Sequence, residues 1–425
     1  MIYTDLIFVF AFLPIYTVAC FICRENWTRD LVATAASLLF ISWGRQWYYA
    51  LIIIPVFLIY ICGCLRQRFG AVFEVLGDIV AAASASVGVM MLTSESGLRP
   101  ALLSVGSILF AIRSVGYLKE VSDGEAPEKS FPALAVYLIP LEGMLIAPLQ
   151  GYSDYRAKPR RATLKKASSG LAMFIKGFFK AAVFGLSFEA VRLAATEYEA
   201  FPWLNAITLI IVTIVEVYVI TASYIEMSCG LFLVAGFSPR PETPAFKPLP
   251  QISWHVSEMW HSLPRFTERC FSDLVRAAVI VVITVTAFVS GSNVGEFLGL
   301  ILILMALENA VPKHHKVSDI IFTVVTMAVA FLVLVGGSMQ GIASVLGAIN
   351  PYAYEYDITY ILNLELTRRL PWLIIGAIAV SPLYRMAAGF IREKMAESDK
   401  SYTALKIAET IACVLLLIVG TAAAI

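Results

Sequence analysis

Charge is scarce in this chain. Only 15% of its residues are Asp, Glu, Lys or Arg, against roughly a quarter in an ordinary soluble domain, and that shortage excludes a soluble globular protein. Acids and bases nearly cancel, leaving a formal net charge of +1, which argues against a nucleic-acid partner. Histidine is rarer still: there are four, and none lies between His261 and His314. The cysteines lack metal spacing, since Cys62 and Cys64 flank a single glycine and Cys20 and Cys23 share an apolar helical face. Buried free thiols and no metal site are expected. No stretch is polar for long enough to make a separate soluble domain, and no internal repeat is visible.

What the chain has instead is apolar sequence, 59% of all residues. A hydrocarbon core about 30 Å thick takes about 20 apolar residues per helix. Runs of that kind lie near 3–23, 31–64 (two spans), 71–93, 100–118, 131–150, 170–192, 203–235, 275–292, 294–311, 318–340, 370–390 and 404–424. The pattern predicts an all-α, polytopic transmembrane helix bundle of about 11–13 spans, with residues 1–425 forming a single membrane domain. The opening segment has neither a basic start nor a small-residue cleavage site and reads as a retained first span.

The few charges are unevenly placed. Arg156, Lys158, Arg160, Arg161, Lys165 and Lys166 crowd one interruption that holds no acid between Arg156 and Lys166, and the positive-inside rule puts that loop, with Arg66 and Arg68, on the cytoplasmic side. A solvated topology signal and a site for a polyanion or the phosphates of coenzyme A are both open there. The longest polar interruption runs from Ser238 to Phe271 and carries Pro239, Pro241, Pro244, Pro248 and Pro250. Those prolines forbid a continuous helix, so 238–271 is expected to be an interfacial or re-entrant segment. Glu258 and His261 inside it are three residues apart, a spacing that lets a carboxylate orient an imidazole on one helical face. His255 beside Trp254 reads as interfacial, and His314 and His315 among lysines read as a solvated turn.

Several stretches resemble, in order, the membrane-bound O-acyltransferase family, in its bacterial branch of alginate O-acetyltransferase membrane subunits and D-alanyl-lipoteichoic-acid transferases. The opening resembles that branch in its polar turn and in the aromatic cluster Trp43, Trp47, Tyr48 and Tyr49. Residues 106–125 match at Gly106, Phe110, Tyr117, Leu118, Gly124 and Glu125, with Arg113 where the family has glutamine. Residues 138–158 match at Ala147-Pro148 and Tyr152-Ser153-Asp154-Tyr155, and residues 216–240 at Tyr218, Tyr224, Met227, Gly230, Leu231, Gly236 and Phe237. The stretch SEMWHSLPRF around His261 is similar to the family's Trp-His-x-Ser-Leu segment with about three residues missing.

The resemblance implies a helix bundle around a central funnel. It also implies an acyl donor, acetyl-CoA, arriving from the cytoplasm, an exported polysaccharide as acceptor, a periplasmic hydrolase-like acetyltransferase as partner, and a place in the bacterial cytoplasmic (inner) membrane. It assigns the catalytic role to His261, whose imidazole could take the proton of a sugar hydroxyl during attack, and substrate contacts to Glu258, Trp260, Asn293, Tyr224 and Glu226. A structural hydrogen bond from His261 to Glu258 and plain interfacial solvation are the alternatives.

The chain departs from the family at the second histidine position, where Val294 stands, preceded by Asn293 in place of tryptophan. Valine moves no proton, and asparagine is no general base. Other family positions are altered at Ile220, Ala222, Ser223 and Ile225, where the family has Asp, Ser, Gly and Ser, while Glu226 stands where the family has aspartate. Two readings stay open: an O-acyltransferase subunit with a changed site, or an inactive relative, a pseudoenzyme serving as scaffold or accessory subunit in polysaccharide synthesis or export. A transporter using the intramembrane acids Glu216, Glu226 and Glu308 is a third, but paired inverted repeats, which it would want, are not found.

Overall fold

The computed structural model describes residues 1–23, 25–44, 48–93, 98–145, 151–157, 162–196, 203–237, 360–380, 390 and 399–424. All the regular structure among them is helical, and the protein is an all-α membrane helix bundle. Four of the helical runs, Leu51–Phe69, Ala71–Met91, Leu164–Ala194 and Lys406–Ala424, are long and apolar enough to cross a bilayer. The chain divides into two compact units, one built mainly from residues 1–170 with 231–239, the other from 171–230 with the C-terminal helices.

In the first unit a π-helical turn, Phe8–Phe12, leads into α1 (Leu13–Ile22). It continues through α2 (Asn26–Ser42), α3 (Tyr48–Phe69), α4 (Ala71–Thr93), α5 (Leu98–Ser122), α6 (Phe131–Leu138) and α7 (Tyr152–Ala157). Helices α3, α4 and α5 pack together, and α2 packs on α6. One residue joins α3 to α4, Gly70, at φ +78°, and its N–H bonds the Arg66 carbonyl at 3.0 Å. Only glycine holds that left-handed corner without steric cost. Arg66 then secures the hairpin, reaching Glu74 on α4 at 3.1 Å and Ser122 on α5 at 2.7 Å.

The span expected over 131–150 is corrected by this structure. Pro132 suits the first turn of α6, but Pro140 follows, and a residue before proline is pushed out of the helical region; Ile139 sits at φ −127°, ψ 55°. The helix stops after eight residues, and a short 3₁₀ turn, Leu141–Gly143, stays buried. Broken backbone in an apolar interior must find partners inside the protein. Tyr3 donates to the Leu141 carbonyl at 2.6 Å, and Arg113 of α5 donates to the Gly143 carbonyl at 2.9 Å and the Leu138 carbonyl at 3.5 Å.

The second unit holds part of α8 (Leu164–Phe179), a π-helical segment Lys180–Gly185, α9 (Leu186–Thr196), most of α10 (Trp203–Val234), α11 (Tyr360–Val380) and α12 (Asp399–Ala424). Its core gathers Phe184, Phe188 and Val191 against Leu209, Val212 and Val219 of α10 and Leu373 of α11. Glycines permit the close approaches, as in membrane helix pairs generally: a Cβ on Gly376 would fall 2.9 Å from Phe184, and one on Gly420 would fall 3.0 Å from Phe178. The outward side of α12 is apolar, with Ile407, Ile411, Val414, Leu415 and Ile418 all more than half exposed. Such a stripe suits acyl chains and not water.

No disulfide joins the described cysteines. Cys20, Cys62 and Cys413 are buried as expected of apolar thiols, whereas Cys64 is exposed.

Candidate functional site

Two polar constellations stand out, one in each unit. In the first unit, the resemblance segments 106–125, 138–158 and the end of 216–240 converge. Tyr152 packs edge-on against Tyr117 at 4.9 Å and against Tyr137 at 5.1 Å; Tyr137 meets Tyr155 at 5.1 Å, and Tyr155 stacks on Phe237 at 5.2 Å. Around this aromatic chain two carboxylates take up main-chain donors. Glu120 accepts the main-chain N–H groups of Tyr152 (3.0 Å) and Ser153 (2.7 Å) at the start of α7, and Glu128 accepts those of Lys129 (2.9 Å) and Ser130 (3.0 Å) just before α6. Glu120 thereby satisfies donors that a helix start leaves over, while Glu128 holds the turn that leads into α6. Tyr152 also donates its hydroxyl to Glu128. Burial first, then that bond to a carboxylate, pushes the Tyr152 phenol well above its ordinary value.

The basic run makes a contact of its own. Lys166 donates to the Gly236 carbonyl at 2.8 Å, where α10 ends in a glycine at φ +92°, a favourable position for a cation. Arg156 and Lys165 remain exposed.

In the second unit α8, the π segment and α9 run antiparallel to α10. Gly177 sets their spacing, since a Cβ there would lie 2.7 Å from the Ser223 carbonyl. Lys180 then reaches Glu226 at 2.6 Å, and Arg192 reaches Glu216 at 2.7 Å. Glu189 comes within 3.8 Å of the same arginine. Glu216 and Glu226 are ten residues apart on α10, about 15 Å along its axis. Lys180 opens the π segment, and such segments often mark functional positions. Charges among apolar helices are costly unless paired, and here each acid on α10 meets a cation.

Of the residues singled out in the sequence, Tyr224 is fully buried and Glu226 is the partner of Lys180. Glu258, Trp260, His261 and Asn293 lie outside the described residues, as do Val294, Glu308 and the segment 238–271. Sequence reasoning overlooked Lys180 and Arg192. Their signal was present: both are cations inside the mostly apolar run 164–194, a pattern that predicts a buried counter-charge.

Curated relatives add to this geometry. The chain is 26% identical over 283 residues, 61% of its own length and 53% of the relative's, to a protein of Pseudomonas fluorescens named "Probable alginate O-acetylase AlgI". The chain is similar to the alginate O-acetylases. Proteins of the same name from Pseudomonas syringae pv. tomato and Pseudomonas putida match at 25% and 24% identity, again over 61% of this chain and over 54% and 57% of theirs. No family model matches. The membrane-bound O-acyltransferase resemblance read from the residues is thus shown, in divergent form, while the matched region spans about half the length of each AlgI relative.

Proposed function

We propose that the chain is a multi-pass subunit of the bacterial cytoplasmic membrane that serves O-acetylation of an exported cell-surface polysaccharide. The observation that carries this reading is the similarity to AlgI proteins over 61% of the chain. The proposed donor is acetyl-CoA, approaching a central funnel from the cytoplasmic side, where the exposed Arg156 and Lys165 are suited to the phosphates of the coenzyme. The proposed partner is a periplasmic hydrolase-like transferase that completes delivery to the polymer. In this reading His261 accepts the proton of the hydroxyl that attacks the acetyl thioester, so that the acetyl carbon passes from sulfur to oxygen and coenzyme A leaves as the thiol. Glu258 and Trp260 would orient the imidazole, and Asn293 would offer hydrogen bonds.

The valine at 294 favours a second reading, in which the bundle is an inactive scaffold for polysaccharide synthesis or export. One experiment separates them. Acetyl content of the envelope polysaccharide is measured in a deletion strain, after complementation, and with His261→Ala present at the same membrane level. Acetate lost on deletion, restored by the wild-type chain and not by His261→Ala supports the enzyme. Full restoration by His261→Ala removes catalysis by His261, and an acetyl content indifferent to deletion removes O-acetylation altogether.

A further inference from the structure

The first unit encloses a cavity of about 310 Å³, within the size range of small-molecule sites. Its walls are mostly apolar, with Leu51, Ile54 and Pro55 from α3, Val87 and Met91 from α4 and Phe110 from α5, and the hydroxyls of Ser84 and Ser107 also line it. It opens outward, because Leu51, Ile54, Val87 and Met91 are all at least 38% exposed, and outward from these two spanning helices is lipid. At its inner end is one charged group, Arg113, itself only 5% exposed. From Leu103 to Arg113 the floor runs ten residues along α5, about 15 Å.

A guanidinium carries five N–H donors. Among the described residues Arg113 makes two hydrogen bonds, both to main-chain carbonyls, which cap the broken end of α6 and leave donors over. Tyr137, Tyr3, Tyr155 and Glu142 act on it electrostatically; Glu142 accepts the Tyr16 hydroxyl at 2.5 Å and does not line the cavity. A narrow apolar slot that admits chains from the bilayer and ends in a buried cation has the shape and charge of an anionic single-chain amphiphile. A carboxylate, which like a phosphate presents paired oxygens to a guanidinium fork, carries the single charge that one arginine matches. The family's glutamine would present an amide there, without charge.

We propose that this cavity binds a free medium- or long-chain fatty acid from the membrane, with its carboxylate on Arg113 and its chain lying along α5 towards the gap between α3 and α4. Such a site is separate from the acetyl-transfer reading and does not depend on it.

The test uses the full chain in phosphatidylcholine nanodiscs and three probes of equal length: laurate, dodecanol and dodecyl phosphate. Saturable binding of one laurate per chain, with dodecanol weaker by about tenfold or more, is expected from a charge-assisted bond. Arg113→Gln should erase that preference, and Val87→Trp, at the exposed rim, should block the chain in either probe. The laurate-over-dodecanol comparison needs only the wild-type protein, so it stands even if Arg113→Gln disturbs folding. Equal binding of laurate and dodecanol, binding that only tracks bulk partition, or laurate binding untouched by Val87→Trp would overturn the proposal. Preference for dodecyl phosphate over laurate would overturn the carboxylate assignment.

Discussion

Lys180 and Glu226 face each other at 2.6 Å between mostly apolar helices, with side-chain exposures of 13% and 21%. Removing one partner strands the other charge, which is costlier than losing the pair's attraction. Glu226→Gln is therefore expected to lower the thermal midpoint in detergent, and Lys180→Met combined with Glu226→Leu to recover most of that loss; a double variant no better than the single would count against the pair. Tyr152 makes a second prediction at this scale. Tyr152→Phe keeps the ring stack but loses the hydroxyl's bond to Glu128, at a cost of about 1–2 kcal/mol. The folded phenol titrates higher than the unfolded one, so its contribution is complete below about pH 10 and is lost as pH rises beyond that. Unfolding measured from pH 8 to 11 should then show a shallower alkaline decline for Tyr152→Phe than for the wild type.

Among the elements, the α3–α4 hairpin and the α6 break are settled by single residues. At Gly70 nothing lies within 4 Å of an added Cβ, so Gly70→Ala tests conformation alone and should cost about 1–2 kcal/mol. Gly106 differs: a Cβ there would fall 2.1 Å from the Met144 carbonyl oxygen, a backbone atom that cannot step aside. Gly106→Ala should therefore destabilise more than Gly70→Ala, and equal midpoints for the two would contradict the close packing of α5 on the segment after α6. The same segment explains why an apolar run at 131–150 is no single span. Hydropathy counts side chains, whereas Pro140 acts on the backbone of the residue before it, and the exposed carbonyls are then taken up by Tyr3 and Arg113.

At the scale of the molecule, four helices of spanning length among the described residues and the apolar outward stripe of α12 place the chain with the bilayer. It should stay in the membrane pellet through an alkaline carbonate wash; release into the supernatant would contradict embedding. A cysteine introduced at Lys158 is expected to react with a membrane-impermeant maleimide only after the cytoplasmic face is opened, the outcome that the positive-inside rule predicts for the basic run.

What the sequence by itself determined was the class of molecule and its kinship. Hydropathy and charge follow from composition, so an all-helical membrane protein was legible, and ordered stretches from Trp43 to Phe237 carried the O-acyltransferase resemblance that the AlgI relatives share. The positive loop and the lone intramembrane acids Glu216 and Glu226 were visible as well. The tertiary structure alone decided which charges meet: Arg192 with Glu216, Lys180 with Glu226, and Lys166 with the end of α10. It also turned Arg113 from a mismatch with the family into the cap of a broken helix and the floor of a cavity. Pairings of this kind depend on the spacing of helices, which Gly177 and Gly106 set by close approach, and no linear pattern encodes a distance between segments far apart in the chain.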